Sequence, residues 1–183
     1  MGLFTLRQSN LAYRLDFALH GMAIVAVAAL IAADTPAHQR WLALGCCAGG
    51  LSIWSGLEYA LHRFVLHGMA PFQQWHEEHH RRPADLICTP TVLSAALIVA
   101  LVFLPSLALL SLWPASALTL GVMVGYFAYA VTHHALHRWR PTGTWMKRRK
   151  TWHAAHHHGG KIAGHFGVTT QLWDRVLGSD RPG

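Results

Sequence analysis

Histidines with repeated spacings are the residues of this chain that are equipped for chemistry. Fifteen occur in 183 residues, and thirteen of them lie between His62 and His165. They form four groups that begin at His62, His76, His133 and His153. Imidazole is a good ligand for zinc, copper, iron and nickel. Four patterned groups therefore predict a metal centre rather than unrelated interfacial histidines.

The spacing inside each group selects the candidate ligands. Residues three and four apart share a face of an α-helix, and this holds within the second, third and fourth groups. His62 and His67 are five apart, so they share a face only if a helix ends or bends between them. A tetrahedral site needs about four ligands, so the set predicts two ions. The ten candidates are His62, His67, His76, His79, His80, His133, His137, His153, His156 and His157.

Apolar segments must position these groups. Apolar residues make up 52% of the chain and charged residues 13%, against about a quarter charged in soluble domains. A bilayer is crossed by about 20 apolar residues. The sequence predicts one domain, 1–183, with an all-α integral membrane fold of four transmembrane helices. Their predicted bounds are about 17–33, 41–62, 91–112 and 115–137.

Features within the segments refine this prediction. The second segment carries small residues that permit close helix packing, among them Gly45, Gly49 and Gly50. Pro105 predicts a kink in the third segment. Trp113 and Pro114 predict a tight turn before the fourth.

Basic residues predict the orientation in the membrane. With four spans, one side holds fourteen of the fifteen lysines and arginines and the other holds only Arg40. Basic loops stay in the cytoplasm, so both termini are predicted there, with a bacterial inner membrane as the expected location. All four histidine groups then lie in a histidine-rich helical cytoplasmic cap, about 63–90 and 138–183, that holds the dimetal centre. The net charge of +7 is explained in this way without nucleic acid.

Glu58 stands one turn before His62 on the same helical face. A carboxylate in a membrane helix needs a partner, and a hydrogen bond that orients His62 is favoured over an interfacial side chain that reaches water.

Other residues are candidates to support the ligands from outside. Asp85 and Asp174 are either hydrogen-bond acceptors near the centre or partners of neighbouring arginines. The basic run 147–150 either contacts a partner, which would be anionic lipid or an acidic electron donor, or is a plain anchor at the membrane surface. Three further histidines complete this outer set: His134, His158 and His165.

The combined motifs resemble the fatty acid hydroxylase superfamily, and most closely its fatty acid 2-hydroxylases. The resemblance covers roughly residues 54–178. It rests on these matched stretches: Glu58-Tyr59-Ala60-Leu61-His62-Arg63-Phe64-Val65-Leu66-His67; His76-x-x-His79-His80-Arg81-x-Pro83-x-Asp85; Thr132-His133-x-x-x-His137; His153-x-x-His156-His157; Phe166-Gly167-Val168-Thr169-Thr170; and Trp173-Asp174-Arg175-Val176-Leu177-Gly178.

This resemblance implies an O2-dependent enzyme that inserts one oxygen atom into a C–H bond of a fatty acyl chain in a membrane lipid, at C2 in the nearest branch. It implies two metal ions held by the ten histidines, with iron expected and zinc also accepted. Their division between the ions is left open. The two electrons come from an external donor, a cytochrome b5-like or ferredoxin-like protein.

Two other kinds of function also fit these motifs. The same centre serves desaturases and carotenoid hydroxylases, and a membrane metal-binding protein without enzymatic activity would also need clustered histidines. The four residues between His62 and His67 count against the sterol branch. The sequence shows no cytochrome b5 domain, and it is short between His80 and His133, where family members carry part of a substrate cap.

Overall fold

A computed structural model describes residues 8–87, 89–158 and 164–181, and the elements in these ranges are helical. The α-helices are α1 (Asn10–Asp34), α2 (Arg40–Ala60), α3 (Phe72–Arg81), α4 (Thr91–Ile98), α5 (Leu104–Leu109), α6 (Leu112–Arg138), α7 (Thr144–His158) and α8 (Leu172–Val176). Two π-helical turns, Leu61–Leu66 and Val99–Phe103, and a 3-10 turn, Ala37–Gln39, complete the elements.

The chain divides into two compact units. The first comprises the residues up to Trp54 together with Leu86–Phe127, and the second comprises Ser55–Asp85 together with Ala128–Gly183. All ten candidate ligands belong to the second unit.

Helix α1 begins seven residues before the predicted span, at Asn10 rather than Phe17. The Ser9 side chain accepts a hydrogen bond of 3.1 Å from the Ala12 amide and caps the first turn. The polar residues that follow are helical because they have partners: Asp16 accepts a hydrogen bond from Thr91, and His20 lies 3.2 Å from the Ser94 hydroxyl.

Three helical stretches in the described ranges are long and apolar enough to cross a membrane: Asn10–Asp34, Thr91–Leu109 and Leu112–Arg138. Their apolar side chains face outward, as Val92 and Leu109 show, with 82% and 85% exposure. Helix α2 has the length, at 21 residues, but its glycines, serines and Glu58 make it less apolar.

Proline explains the shape of the third segment. At the predicted kink lies a π-helical turn, Val99–Phe103, that ends two residues before Pro105. The proline ring clashes with the carbonyl of the residue four positions earlier, and a wider turn relieves that clash. The next helix starts at Leu112, so Pro114 lies in its first turn, where no amide hydrogen is needed. The turn therefore comes before the predicted position at Trp113 and Pro114.

Backbone-to-backbone packing joins α2 to α6 in the first unit. A Cβ atom built on Gly50 would lie 2.1 Å from the Leu118 carbonyl oxygen, and one on Gly121 would lie 2.1 Å from that of Cys47. Close packing through small residues is therefore confirmed at Gly50. Gly45 and Gly49 have open space at the Cβ position instead.

We expect Gly50→Ala to lower the melting temperature of the purified protein in detergent. The new methyl group must push α2 and α6 apart, and overpacking of this kind costs about 1–3 kcal/mol. Gly49→Ala is the matched control, since the neighbouring position is open and alanine favours the helix. Equal melting temperatures for the two variants would contradict the close packing.

Candidate metal centre

The second unit brings the ten candidate histidines together in two clusters of five. Within each cluster the possible ligand atoms all lie within 4.8 Å of one another. The first cluster consists of His62, His67, His76, His80 and His156, and the second consists of His79, His133, His137, His153 and His157.

A π-helical turn solves the five-residue spacing of the first group. Residues Leu61–Leu66 form this turn directly after α2. Its hydrogen bonds join residues five apart, so His62 and His67 come to the same side, with ring centroids 5.2 Å apart. The predicted helix end or bend is thus a widened turn.

Helices α3 and α7 each supply both clusters. His76 and His80 are four apart and belong to the first cluster, while His79 belongs to the second. Neighbouring residues on a helix point about 100° apart, so consecutive histidines reach adjacent clusters. The rings of His80 and His157, one from each cluster, stack with centroids 4.2 Å apart.

The ligand nitrogens face one another within each cluster. In the first, His76 Nε2 lies 2.9 Å from His62 Nε2 and 3.1 Å from His80 Nε2. In the second, His153 Nε2 lies 2.8 Å from His137 Nε2 and 3.1 Å from His157 Nε2. Two nitrogens at right angles around an ion, each at about 2.1 Å, would be about 3.0 Å apart. The residues present therefore fit an ion in each cluster.

His79 supports the same conclusion. It is 5% exposed, and neither of its ring nitrogens has a hydrogen-bond partner in the described ranges. An unpaired buried polar atom costs about 1–3 kcal/mol. Coordination of a metal ion by one ring nitrogen would remove part of this penalty.

Burial keeps the cluster imidazoles neutral. It lowers the pKa of His79 and of His156 to about 3 and that of His157 to about 2. It also lowers the pKa of His67 to about 4. Protonation of a neighbouring histidine would lower these pKa values further, whereas the Gly164 carbonyl opposes the shift at His156. A neutral imidazole offers the lone pair that a metal ion requires.

A short segment, Gly164–Thr169, orients two histidines of the first cluster; we call it the strap. His62 Nδ1 hydrogen bonds to the Phe166 carbonyl oxygen, and His156 Nδ1 lies 2.8 Å from that of Gly164. A carbonyl only accepts, so both imidazoles carry their proton on Nδ1. Their Nε2 lone pairs then point into the cluster.

Asp174 holds the first half of the strap. It is fully buried, and its carboxylate accepts hydrogen bonds of 2.8 Å from the Phe166 and Gly167 amides. The Ser179 hydroxyl donates a third, also of 2.8 Å. Of its two predicted roles, hydrogen-bond acceptor and partner of an arginine, the contacts favour the first. Arg175 donates to Gln171 instead.

Glu58 holds the second half. Its Oε1 accepts hydrogen bonds of 2.7 and 2.8 Å from the Val168 and Thr169 amides, and the Thr169 hydroxyl donates to Oε2. The direct hydrogen bond predicted between Glu58 and His62 is replaced by an indirect link. His62 binds the carbonyl of Phe166, two residues before the amide that Glu58 binds.

Arg149 is a functional candidate that the sequence reasoning missed. Its side chain donates to the carbonyl oxygens of Gly167 and Val168, and it is 4% exposed. Burial lowers the pKa of this guanidinium, while Glu58 and Asp174 oppose that shift. The basic run 147–150 is therefore not uniformly exposed, since Lys147 and Arg148 are exposed and Arg149 is buried. The signal in the sequence that could have indicated Arg149 was the matched Phe166–Thr170 motif, because the backbone groups of such a segment need hydrogen-bond partners.

The remaining outer candidates are not members of either cluster. Asp85 lies in a turn after α3, where its amide donates to the Arg82 carbonyl. The His134 ring packs against Trp139, and His158 Nδ1 lies 2.7 Å from the Ala154 carbonyl oxygen. His165 has a left-handed backbone, φ 62°, at the start of the strap.

Paired clusters of five histidines, in a helical chain with three membrane-length apolar helices, define a class of integral-membrane histidine-cluster proteins. The family model for fatty acid hydroxylases matches residues 47–179. The chain belongs to the fatty acid hydroxylase family, as its motifs predicted.

Individual relatives agree with this assignment. A dihydroceramide fatty acyl 2-hydroxylase of Arabidopsis thaliana is 36% identical over 140 residues, 71% of this chain and 58% of that relative. The human fatty acid 2-hydroxylase is 30% identical over 138 residues, 68% of this chain and 36% of that relative. A solved structure described as full-length scs7p, with only the hydroxylase domain visible, has a TM-score of 0.80 at 26% identity. That match covers 95% of this chain and 67% of the other. The chain thus spans less than two thirds of these curated relatives.

We expect the metal-free protein to lose stability as the pH falls from 7 to 5. Unfolded histidines titrate near pH 6.5, whereas buried His79 and His156 stay neutral down to about pH 3. The unfolded state therefore binds more protons in this window. Each such histidine removes about 1.4 kcal/mol per pH unit below its unfolded pKa.

The measurement is the melting temperature in detergent at pH 7, 6 and 5. His79→Phe should make the dependence shallower, because it removes one of the buried titrating groups. A melting temperature that stays constant over this range would contradict the burial of neutral imidazoles.

Proposed function

We propose that this chain is a membrane-bound lipid hydroxylase. It inserts one atom of O2 into a C–H bond of a fatty acyl chain, and C2 is the favoured position because the relatives are named 2-hydroxylases. The second oxygen atom leaves as water, formed with two protons and two electrons. The observation that carries the proposal is the pair of five-histidine clusters in a chain of this family.

The two clusters are proposed to hold one metal ion each, with all ten histidines as ligands. Iron is the expected metal and zinc is an alternative occupant, since imidazole accepts both. The bound metals supply the activation of O2 that amino acid side chains cannot provide. Neutral ligands leave the positive charge of each ion uncompensated by the protein.

The protein contributes orientation and a dry environment. His62, His76 and His79 are each less than 10% exposed, so water has little access to these three imidazoles. The strap fixes the proton of His62 and of His156 on Nδ1. No protein nucleophile is required, because the bond to carbon is formed by oxygen.

The proposed topology has four spans, namely the three helical stretches described above and α2. Both termini are proposed to lie on the cytoplasmic side of a bacterial inner membrane. Helix α2 is 21 residues long, and about 20 residues cross a bilayer. The basic residues favour this orientation, because all but Arg40 fall on one side. The acyl chain would lie in the bilayer, while a cytochrome b5-like or ferredoxin-like donor delivers electrons from the cytoplasm.

We expect His79→Ala and His156→Ala to abolish product formation in cells, one variant for each cluster, while the protein still inserts in the membrane. The measurement is lipid mass spectrometry after growth under 18O2. Wild-type cells should accumulate acyl chains that carry one labelled oxygen. His38→Ala is the control, since His38 is exposed and lies outside both clusters.

Other products would redirect the proposal. Acyl chains that lack two hydrogens would identify a desaturase, and an oxygenated pigment would identify a carotenoid hydroxylase. Metal-loaded protein that leaves every lipid unchanged beside a competent reductant would favour a metal-binding protein. Wild-type product from either cluster variant would contradict the ligand assignment.

A further inference from the structure

The backbone of the strap is bound from three directions by buried charged groups. Asp174 accepts hydrogen bonds from the amides of Phe166 and Gly167, and Glu58 accepts them from the amides of Val168 and Thr169. Arg149 donates hydrogen bonds to the carbonyl oxygens of Gly167 and Val168. All three side chains are less than 5% exposed. Charge-assisted hydrogen bonds of this kind are about twice as strong as neutral ones.

The strap is also closely packed at Gly167. A Cβ atom on Gly167 would lie 1.9 Å from the Thr170 carbonyl oxygen and 2.9 Å from Asp174 Oδ2. The backbone is thus packed directly on the carboxylate that binds it.

We propose that Glu58, Asp174 and Arg149 act as positioning residues, a clamp that sets metal affinity in the first cluster and not in the second. The clamp fixes the strap, and the strap fixes the Nδ1 protons and the ring directions of His62 and His156. This inference rests on the metal centre of the proposed function.

The selectivity follows from a difference between the clusters. The strap accepts hydrogen bonds from two first-cluster histidines, and the Phe166 ring packs against three of them, His62, His67 and His156, at 5.4–5.9 Å. In the second cluster, Nδ1 of His79, His153 and His157 has no hydrogen-bond partner in the described ranges. Loss of a hydrogen bond that orients a metal ligand typically weakens metal binding 10–100-fold. That loss should fall on one ion of the two.

The test is a titration of purified, metal-free protein in detergent with Co2+, read by visible absorption and by the number of ions bound. His80→Ala and His137→Ala provide reference spectra for damage to the first and the second cluster. Wild-type protein should bind two ions. Arg149→Met should bind one ion with unchanged affinity and the other at least 10-fold more weakly, with the spectrum of the first-cluster reference.

Arg148→Met is the matched control, because Arg148 is the adjacent basic residue and is exposed. Two milder variants, Glu58→Gln and Arg149→Lys, keep part of the hydrogen bonding and decide the question if Arg149→Met does not fold. Arg149→Lys should regain part of the lost affinity, since lysine restores the charge without the guanidinium fork.

Two results would overturn the clamp. One is wild-type affinity for both ions in the folded clamp variants. The other is equal weakening of both ions, which would assign these residues to general folding. Wild-type protein that binds no Co2+ would instead contradict the proposed function, and the clamp with it.

Discussion

Ten imidazoles whose lone pairs converge are the constraint on which this structure depends. Burial keeps them neutral, and a neutral ring has one proton to donate, so nitrogens such as His76 Nε2 face others that cannot all be satisfied by hydrogen bonds. Such an arrangement is unstable in a protein unless other contacts impose it or an ion occupies it. Helices α3 and α7 impose it from two sides, because each carries histidines at both three- and four-residue spacings and so supplies both clusters.

The outer network has a second constraint, since it buries two carboxylates beside one guanidinium. A buried charge without partners is strongly unfavourable, and here the partners are mostly backbone groups of one short strap. Glu58 and Asp174 accept hydrogen bonds from consecutive amides, and Arg149 donates hydrogen bonds to the carbonyl oxygens between those amides. The strap cannot leave without breaking the hydrogen bonds that satisfy these three buried groups. The same interactions that satisfy the charges therefore also hold two histidines of the first cluster.

The sequence predicted the ligand candidates better than their arrangement. Histidine spacing is a local property of helices, so the helical period indicated eight of the ten candidates, while His62 and His67 also required a helix end or bend. The division between the two clusters could not be predicted. His79 and His80 point in different directions from the same helix, and the cluster that each one joins depends on the elements that pack beside it. Arg149 was missed for the same reason: it looks like its neighbours in a basic run, and its burial depends on carbonyls 18 and 19 residues later. Helix α1 extends beyond the predicted apolar span, with the Ser9 cap at its start and with Asp16 bonded to a partner 75 residues away.

The spacing of Glu58 and His62 shows how a correct face can come with a wrong partner. The strap meets both side chains, with its Phe166 carbonyl at His62 and its Val168 amide at Glu58. The carboxylate and the imidazole do not need to touch, because two residues of strap join them. The Glu-x-x-x-His spacing thus places two side chains of one face where a single short segment binds both.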